Sequence, residues 1–199
     1  MKRIGLFGGS FDPVHNAHVA LARVALDHLA LDELRWVPAG QPWQKTRAMT
    51  SAEHRVAMVA LAVAADARFV LERCEIERAG PSYTRDTVRA LRERTPGAQW
   101  FLVIGQDQYA RLSTWHGWQE LLGLVTLGVA ARGGEAPQPD AALAGHPHSM
   151  VALPLPRDDV SATEVRRRAA AGEGIDQLVP PAVARYIDQH RLYRGRPGS

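Results

Sequence analysis

The chain of 199 residues has a single cysteine, Cys74. No internal disulfide can form, which fits a reducing, cytoplasmic setting. Hydrophobic residues make up 46% of the chain. No apolar run approaches the roughly 20 residues that a membrane helix needs, which argues against a membrane partner. Met1-Lys2-Arg3 leads straight into an apolar strand, and no secretory hydrophobic region precedes it. Neither sign of charge prevails, with 24 Lys and Arg against 21 Asp and Glu. The formal net charge is +3, which suits a small polyanionic substrate but is too weak to argue for nucleic acid. No Lys/Arg block is interleaved with aromatics as a strand-binding surface requires. Neither G-x-x-x-x-G-K-[ST] nor G-x-G-x-x-G occurs, so the chain is neither an ordinary P-loop protein nor one with a dinucleotide fingerprint.

What is present is concentrated in the first strand and the turn after it. The apolar strand Arg3–Phe7 ends in Gly8 and Gly9. A polar turn follows, Ser10-Phe11-Asp12-Pro13-Val14, and then His15 and His18. Glycine lets a ligand lie against the main chain. Val19, Ala22, Leu26 and Leu29 recur at helical spacing. His18 therefore belongs to the first helical turn, where free N–H groups and the helix dipole favour an anion. His15, about one turn earlier, can face the same pocket. A His-x-x-His pair can also bind metal, but no further His, Asp or Cys cluster completes a zinc set.

Along the rest of the chain strands and helices alternate. Strands are expected at Glu33–Val37, Trp100–Ile104, Leu124–Ala130 and Met150–Leu155, with short extended pieces at Phe69–Leu71 and Cys74–Glu77. Helices are expected from about Ser51 to Ala64, over Ser82–Arg94, over Ser161–Ala171, and from Pro181 to near His190. Thr50 with Glu53, and Ser161 with Glu164, have capping-box spacing. Pro181 suits a first helical turn. Arg132–Ser149, rich in Gly, Pro, Ala and His, reads as a mobile surface loop without evident chemistry. The alternation implies one α/β domain over residues 1–193: a doubly wound, mainly parallel sheet with helices on both faces. Residues 194–199 read as a frayed tail. In such a sheet ligands bind beyond the carboxyl ends of the strands, at a switch in strand order, and Gly8 and Gly105 both lie at such ends.

A second anion site is written at the start of the penultimate helix, Val160-Ser161-Ala162-Thr163-Glu164-Val165-Arg166. Ser161 is a natural N-cap. Thr163 and Arg166 are three apart and share a helix face. In the run Arg166-Arg167-Arg168 the side chains point in different directions, so one functional arginine and two solvated ones are expected.

The string G-G-S-F-D-P-V-H-x-x-H (Gly8–His18) resembles the G-G-[ST]-F-D-P-x-H-x-G-H motif of the nucleotidyltransferase superfamily, with Ala17 in place of the usual glycine. Ser161–Arg166, with Val160, resembles its second signature, I-S-S-T-x-[IV]-R, with Ala162 in place of the second serine. Pro38–Lys45 resembles its P-x-x-x-P-x-x-K segment, with Gln44 where histidine often stands. Three further pieces resemble the nicotinate mononucleotide adenylyltransferase family: Pro81-Ser82-Tyr83-Thr84-Arg85-Asp86-Thr87, Ile104-Gly105-Gln106-Asp107, and Ser113-Thr114-Trp115-His116-Gly117-Trp118. Read singly, Trp115 and Trp118 suit a core equally well, Asp107 a cap, and Lys45 solvent.

The resemblance implies a Rossmann-like fold and ATP binding by Gly8, Gly9, Ser10, Phe11, His15, His18, Lys45, Ser161, Thr163 and Arg166. His15, His18 and Arg166 would be catalytic. Tyr83 and Thr84 would meet the carboxylate of the pyridine ring, Trp115 would stack on that ring, and Asp107 would accept from the nucleotide sugar. The implied reaction transfers the adenylyl group of ATP to nicotinate mononucleotide, with Mg²⁺ carried on the triphosphate and no metal ligand from the protein. Nicotinamide mononucleotide or pantetheine-phosphate adenylyl transfer, or a nucleotide-binding sensor without turnover, are the alternatives. A homo-oligomer is compatible with the sequence. Trp43, on the Lys45 loop, hints at a lid or a partner contact.

Overall fold

The computed structural model describes residues 1–40, 49–132, 135–155 and 160–194. β1 (Arg3–Gly9) leads into α1 (Asn16–His28) and β2 (Glu33–Pro38). Next come α2 (Ala52–Val63), β3 (Phe69–Leu71), the single turn α3 (Cys74–Glu77) and α4 (Thr84–Arg94). β4 (Gln99–Gly105) is followed by α5 (Gln106–Tyr109), a 3-10 turn (Leu112–Thr114) and α6 (Trp118–Leu124). β5 (Thr126–Arg132), α7 (Ala141–Ala144), β6 (Met150–Leu155), α8 (Ala162–Ala171) and α9 (Pro181–Gln189) complete the order.

The strands form one sheet in the order β3-β2-β1-β4-β5-β6, and every neighbouring pair is parallel. This is the doubly wound Rossmann-like arrangement expected from the alternation. Successive side chains of a strand point to opposite faces, and β4 shows the consequence. Phe101 and Val103 join a core with residues of α1, α2, α8 and α9. Trp100, Leu102 and Ile104 join a second core with residues of α4 and α6. A strand buried on both faces must be apolar throughout, which is why Trp100–Ile104 is a continuous apolar run. The order turns back between β1 and β4. Their carboxyl ends, Gly8–Gly9 and Gly105, open a crevice there. Among the described residues no helix is long and apolar enough to cross a membrane.

Several local expectations change. Cys74–Glu77 is one helical turn rather than extended. The Glu72 carboxylate accepts from the Cys74 N–H at 3.2 Å at the start of the turn, and the buried Glu75 carboxylate accepts from the Thr87 hydroxyl at 2.7 Å, which ties the turn to α4. α2 is capped by Ser51, whose hydroxyl accepts from the His54 N–H, not by Thr50. Thr50 is held outside the helix, its N–H directed at Asp12 and its carbonyl accepting from Arg55. Leu124 ends α6, and the strand starts at Thr126. Arg92 donates to the Leu124 carbonyl at 2.7 Å, satisfying a helix end. Segment 132–149 contains α7, capped by Asp140 and anchored by the fully buried Leu143. Ser161 caps α8, and Pro181 opens α9, as the spacing predicts. The expected tail beyond Arg194 lies outside the described residues.

Candidate active site

The turn between β1 and α1 is built from both glycines, used differently. A Cβ on Gly8 would meet nothing within 4 Å, so the main chain is open there to a ligand. A Cβ on Gly9 would press on the Phe11 ring at 3.0 Å. Phe11 is buried and has φ +45°. A bulky residue in that region costs about 1–3 kcal/mol and persists only when its surroundings hold it. Here the holders are Phe7 and Trp36, with ring centroids 5.5 and 5.4 Å from Phe11. Phe11 thus acts as the floor beneath the turn.

His15 precedes α1 in extended backbone. Its N–H donates to His18 Nδ1 at 3.1 Å, which closes the first turn of the helix. That bond makes Nδ1 an acceptor, so the neutral ring carries its proton on Nε2. The two imidazoles stack with centroids 3.6 Å apart. Burial first, and the neighbouring His15 second, push the His18 pKa well below its ordinary value near 6.5. His18 is therefore a neutral donor at pH 7.

Arg166 reaches this turn from α8. Its guanidinium donates to the Asp12 carbonyl at 2.8 Å and to the Thr163 hydroxyl at 3.2 Å. Arg167 pairs with Glu164 and Glu173, and Arg168 with Glu164. The three arginines divide as expected, one inward and two on the surface.

Beneath the turn lies a network whose central arginine has no signature in the sequence. Arg55 is 2% exposed, although it sits on a helix among residues that read as an ordinary amphipathic pattern. Its guanidinium donates to the carbonyls of Thr50, Ser10 and Ala39 at 3.1, 2.9 and 2.7 Å. It thereby ties the β1–α1 turn to the end of β2. The Asp12 carboxylate accepts from the Tyr193 hydroxyl at 2.8 Å, which brings the carboxyl end of the chain to the same place. Burial and the Asp12 charge push the Tyr193 phenol far up, so it stays a donor.

A cleft of about 510 Å³ runs from this turn across the carboxyl ends of β1 and β4. Gly8, Gly9, Ser10, His15, His18 and Ser161 line it at one end. Tyr83, Thr84, Asp107 and Trp115 line it as well. Phe11, Thr163 and Arg166 are not among its lining residues; Phe11 supports the turn from below, and Arg166 grips its backbone. Lys45 and Trp43 lie outside the described residues. Ring contact between Tyr83 and His116, 4.5 Å between centroids, closes part of the wall.

Glu75, Gln106 and His116 also line the cleft and escaped the sequence reading. His116 sits within a segment already singled out, so adjacency to Trp115 was an available signal. Glu75 carried none. Burial raises its carboxyl pKa, while hydrogen bonds from Thr87 and Ser82 act in the opposite direction. Among the described residues no group of three or more His, Cys, Asp or Glu side chains is arranged to hold a metal ion.

Comparisons with known proteins agree with this architecture. A family model described as cytidylyltransferase-like matches residues 6–168. A protein of Methylibium petroleiphilum named "Probable nicotinate-nucleotide adenylyltransferase" is 54% identical over 196 residues, covering 96% of this chain and 92% of its own. One of Bordetella petrii with the same name is 46% identical over 198 residues, covering 98% of this chain and 100% of its own. Among solved structures, Plasmodium falciparum nicotinic acid mononucleotide adenylyltransferase complexed with NaAD superposes with a TM-score of 0.76 at 20% identity, covering 97% of this chain and 98% of that one. At that identity the likeness speaks to the fold. The extent and identity of the first two matches carry the conclusion: this chain is cytidylyltransferase-like and belongs to the nicotinate-nucleotide adenylyltransferase family.

Proposed function

We propose that the protein transfers the adenylyl group of ATP to nicotinate mononucleotide, giving nicotinate adenine dinucleotide and pyrophosphate, a step of NAD biosynthesis. The observation that carries this reading is convergence. The imidazoles of His15 and His18 and the guanidinium of Arg166 meet at one turn, and Tyr83, Asp107 and Trp115 wall the same cleft. The relatives' names supply the acceptor.

The acceptor's 5′-phosphate attacks the α-phosphorus of ATP in line, and the bond from the α-phosphorus to the bridging oxygen of pyrophosphate breaks. A phosphate with a second pKa of about 6 is already an anion at neutral pH, so no protein base is required. The site's work is positioning and charge stabilisation. His18 Nε2–H donates to the α-phosphate as charge builds, and a neutral ring can do so without a protonation step. His15 assists from the adjacent phosphate. Gly8, Gly9 and Ser10 offer main chain to the nucleotide. Ser161, in the cleft wall, holds the departing pyrophosphate, and the family resemblance assigns Thr163, Arg166 and Lys45 to the same group, with Phe11 acting through the turn. Mg²⁺ enters as part of the MgATP substrate. At the other end, the free N–H groups at the start of α4, at Tyr83 and Thr84, receive the ring carboxylate. Trp115 stacks on the electron-poor ring, and Asp107 accepts from the acceptor's ribose. A cytoplasmic setting accords with the lone cysteine.

The test is pyrophosphate release with MgATP and either nicotinate or nicotinamide mononucleotide. The acid should give the higher kcat/KM. Equal efficiencies would defeat the acid preference, and no release with either would defeat the function.

A further inference from the structure

The elements that carry Asp107 and Trp115 are α5, of four residues, and a 3-10 turn of three. Helices this short do not hold their own position in water, because nucleation is costly and few bonds repay it. Something outside them must set where they stand. Segment 135–148, which reads in the sequence as a loop without chemistry, makes three separate side-chain attachments to them.

The first is a closed pair. Gln106 Nε2 donates to the Gln138 carbonyl at 2.7 Å, and the Gln138 N–H donates to Gln106 Oε1 at 3.0 Å. Gln106 immediately precedes Asp107, so this pair fixes the residue beside the sugar acceptor. The second attachment joins the Ser113 hydroxyl to Asp140 Oδ2, two residues before Trp115. Asp140 is itself held, because its Oδ1 accepts from the Leu143 N–H at 2.8 Å and Leu143 is fully buried. The third joins Tyr109, at the end of α5, to His148 Nε2 at 2.9 Å. His148 Nδ1 lies 2.8 Å from the His146 carbonyl and donates there, so in the neutral ring Nε2 accepts and Tyr109 donates. Both ends of α5 and the middle of the 3-10 turn are thereby pinned to one segment whose own anchor is a core leucine.

We propose that residues 135–148 form a strap that sets the acceptor side of the cleft, with Asp140, Ser113 and Gln106 as positioning residues for nicotinate mononucleotide. This rests on the proposed function. It assigns to the segment a role in KM for the acceptor, separate from ATP binding and from the chemical step.

Steady-state kinetics on the full chain test it, with each substrate varied in turn. Asp140→Ala removes the acceptor for Ser113 and the cap of α7. The expected result is a rise of about five- to tenfold in KM for nicotinate mononucleotide, the size of one lost hydrogen bond of ordinary net strength. KM for ATP and kcat should stay within about twofold. Asp140→Asn, which keeps a cap oxygen and a polar partner for Ser113, should restore most of the acceptor KM. Asp32→Ala is the structural control. It removes a carboxylate that accepts from the Arg3 N–H at the far end of β1, and the acceptor KM should not move. If Asp140→Ala does not fold, Ser113→Ala makes the same test from the other partner, with Ser113→Thr as the rescue. An unchanged acceptor KM, an equal rise in both KM values, or an equal rise in the Asp32→Ala control would overturn the strap. A wild type that turns over while Asp140→Ala matches it defeats the strap alone. A wild type that releases no pyrophosphate defeats the function and the strap together.

Discussion

The phosphate end of the cleft is built over buried charge, whereas the acceptor end is built from short pieces of helix held from outside. At the first, Arg55 and Asp12 are 2% and 1% exposed and satisfy main-chain groups from three distant parts of the chain. At the second, Asp107 and Trp115 stand on elements of four residues and on the linker after three more. The difference suits the ligands proposed for the two ends. A triphosphate in transfer needs donors fixed at the point where charge develops, and a buried network gives that rigidity. A flat ring and a sugar need shape and a few acceptors, which short elements can present once something pins them.

The largest way to break the comparison is at His18. His18→Ala should lower kcat by ~10²–10³-fold, with a smaller change in KM for ATP, measured by pyrophosphate release under saturating acceptor. A near-normal kcat would remove His18 from the chemistry.

Next comes the network beneath it. Arg55→Leu leaves the carbonyls of Ser10, Ala39 and Thr50 buried without their donor. Each such group costs about 1–3 kcal/mol. A loss of about 3 kcal/mol or more in urea unfolding is expected. In protein that still folds, KM for ATP should rise more than KM for the acceptor; the reverse order would erase the distinction between the two ends.

Trp115→Ala sharpens the contrast from the other side. It should raise the acceptor KM about tenfold, the scale of one aromatic stack, while KM for ATP stays put. A parallel rise in both would mean that Trp115 serves the fold rather than the ring.

The smallest effect is in pH. The folded His18 pKa lies below its unfolded value near 6.5, so the unfolded chain takes up the proton first as pH falls. The stability tied to a neutral His18 is complete above about pH 6.5 and is lost as pH drops toward the folded pKa. Tm should therefore fall between pH 7.5 and pH 5.5, and His18→Gln should flatten that slope. An unaltered slope in His18→Gln would assign the acid sensitivity to other groups.

The sequence by itself determined the alternation of strands and helices, because an apolar run and a 3.6-residue stripe are local patterns that burial enforces. It also determined the two turns proposed to hold the triphosphate, since glycine, a first-turn histidine and a Ser N-cap act within a few residues of themselves. The division of Arg166 from Arg167 and Arg168 was legible for the same reason, as helical spacing alone separates their directions. Only the tertiary structure decided that Arg55 would be buried, that Glu75 would stand in the cleft wall on a helical turn, and that segment 135–148 would grip α5. Each of these depends on partners 12 to 45 positions away. An arginine on a surface-like stripe, or a loop rich in Gly and Pro, carries no local mark of the carbonyls and hydroxyls that folding brings against it.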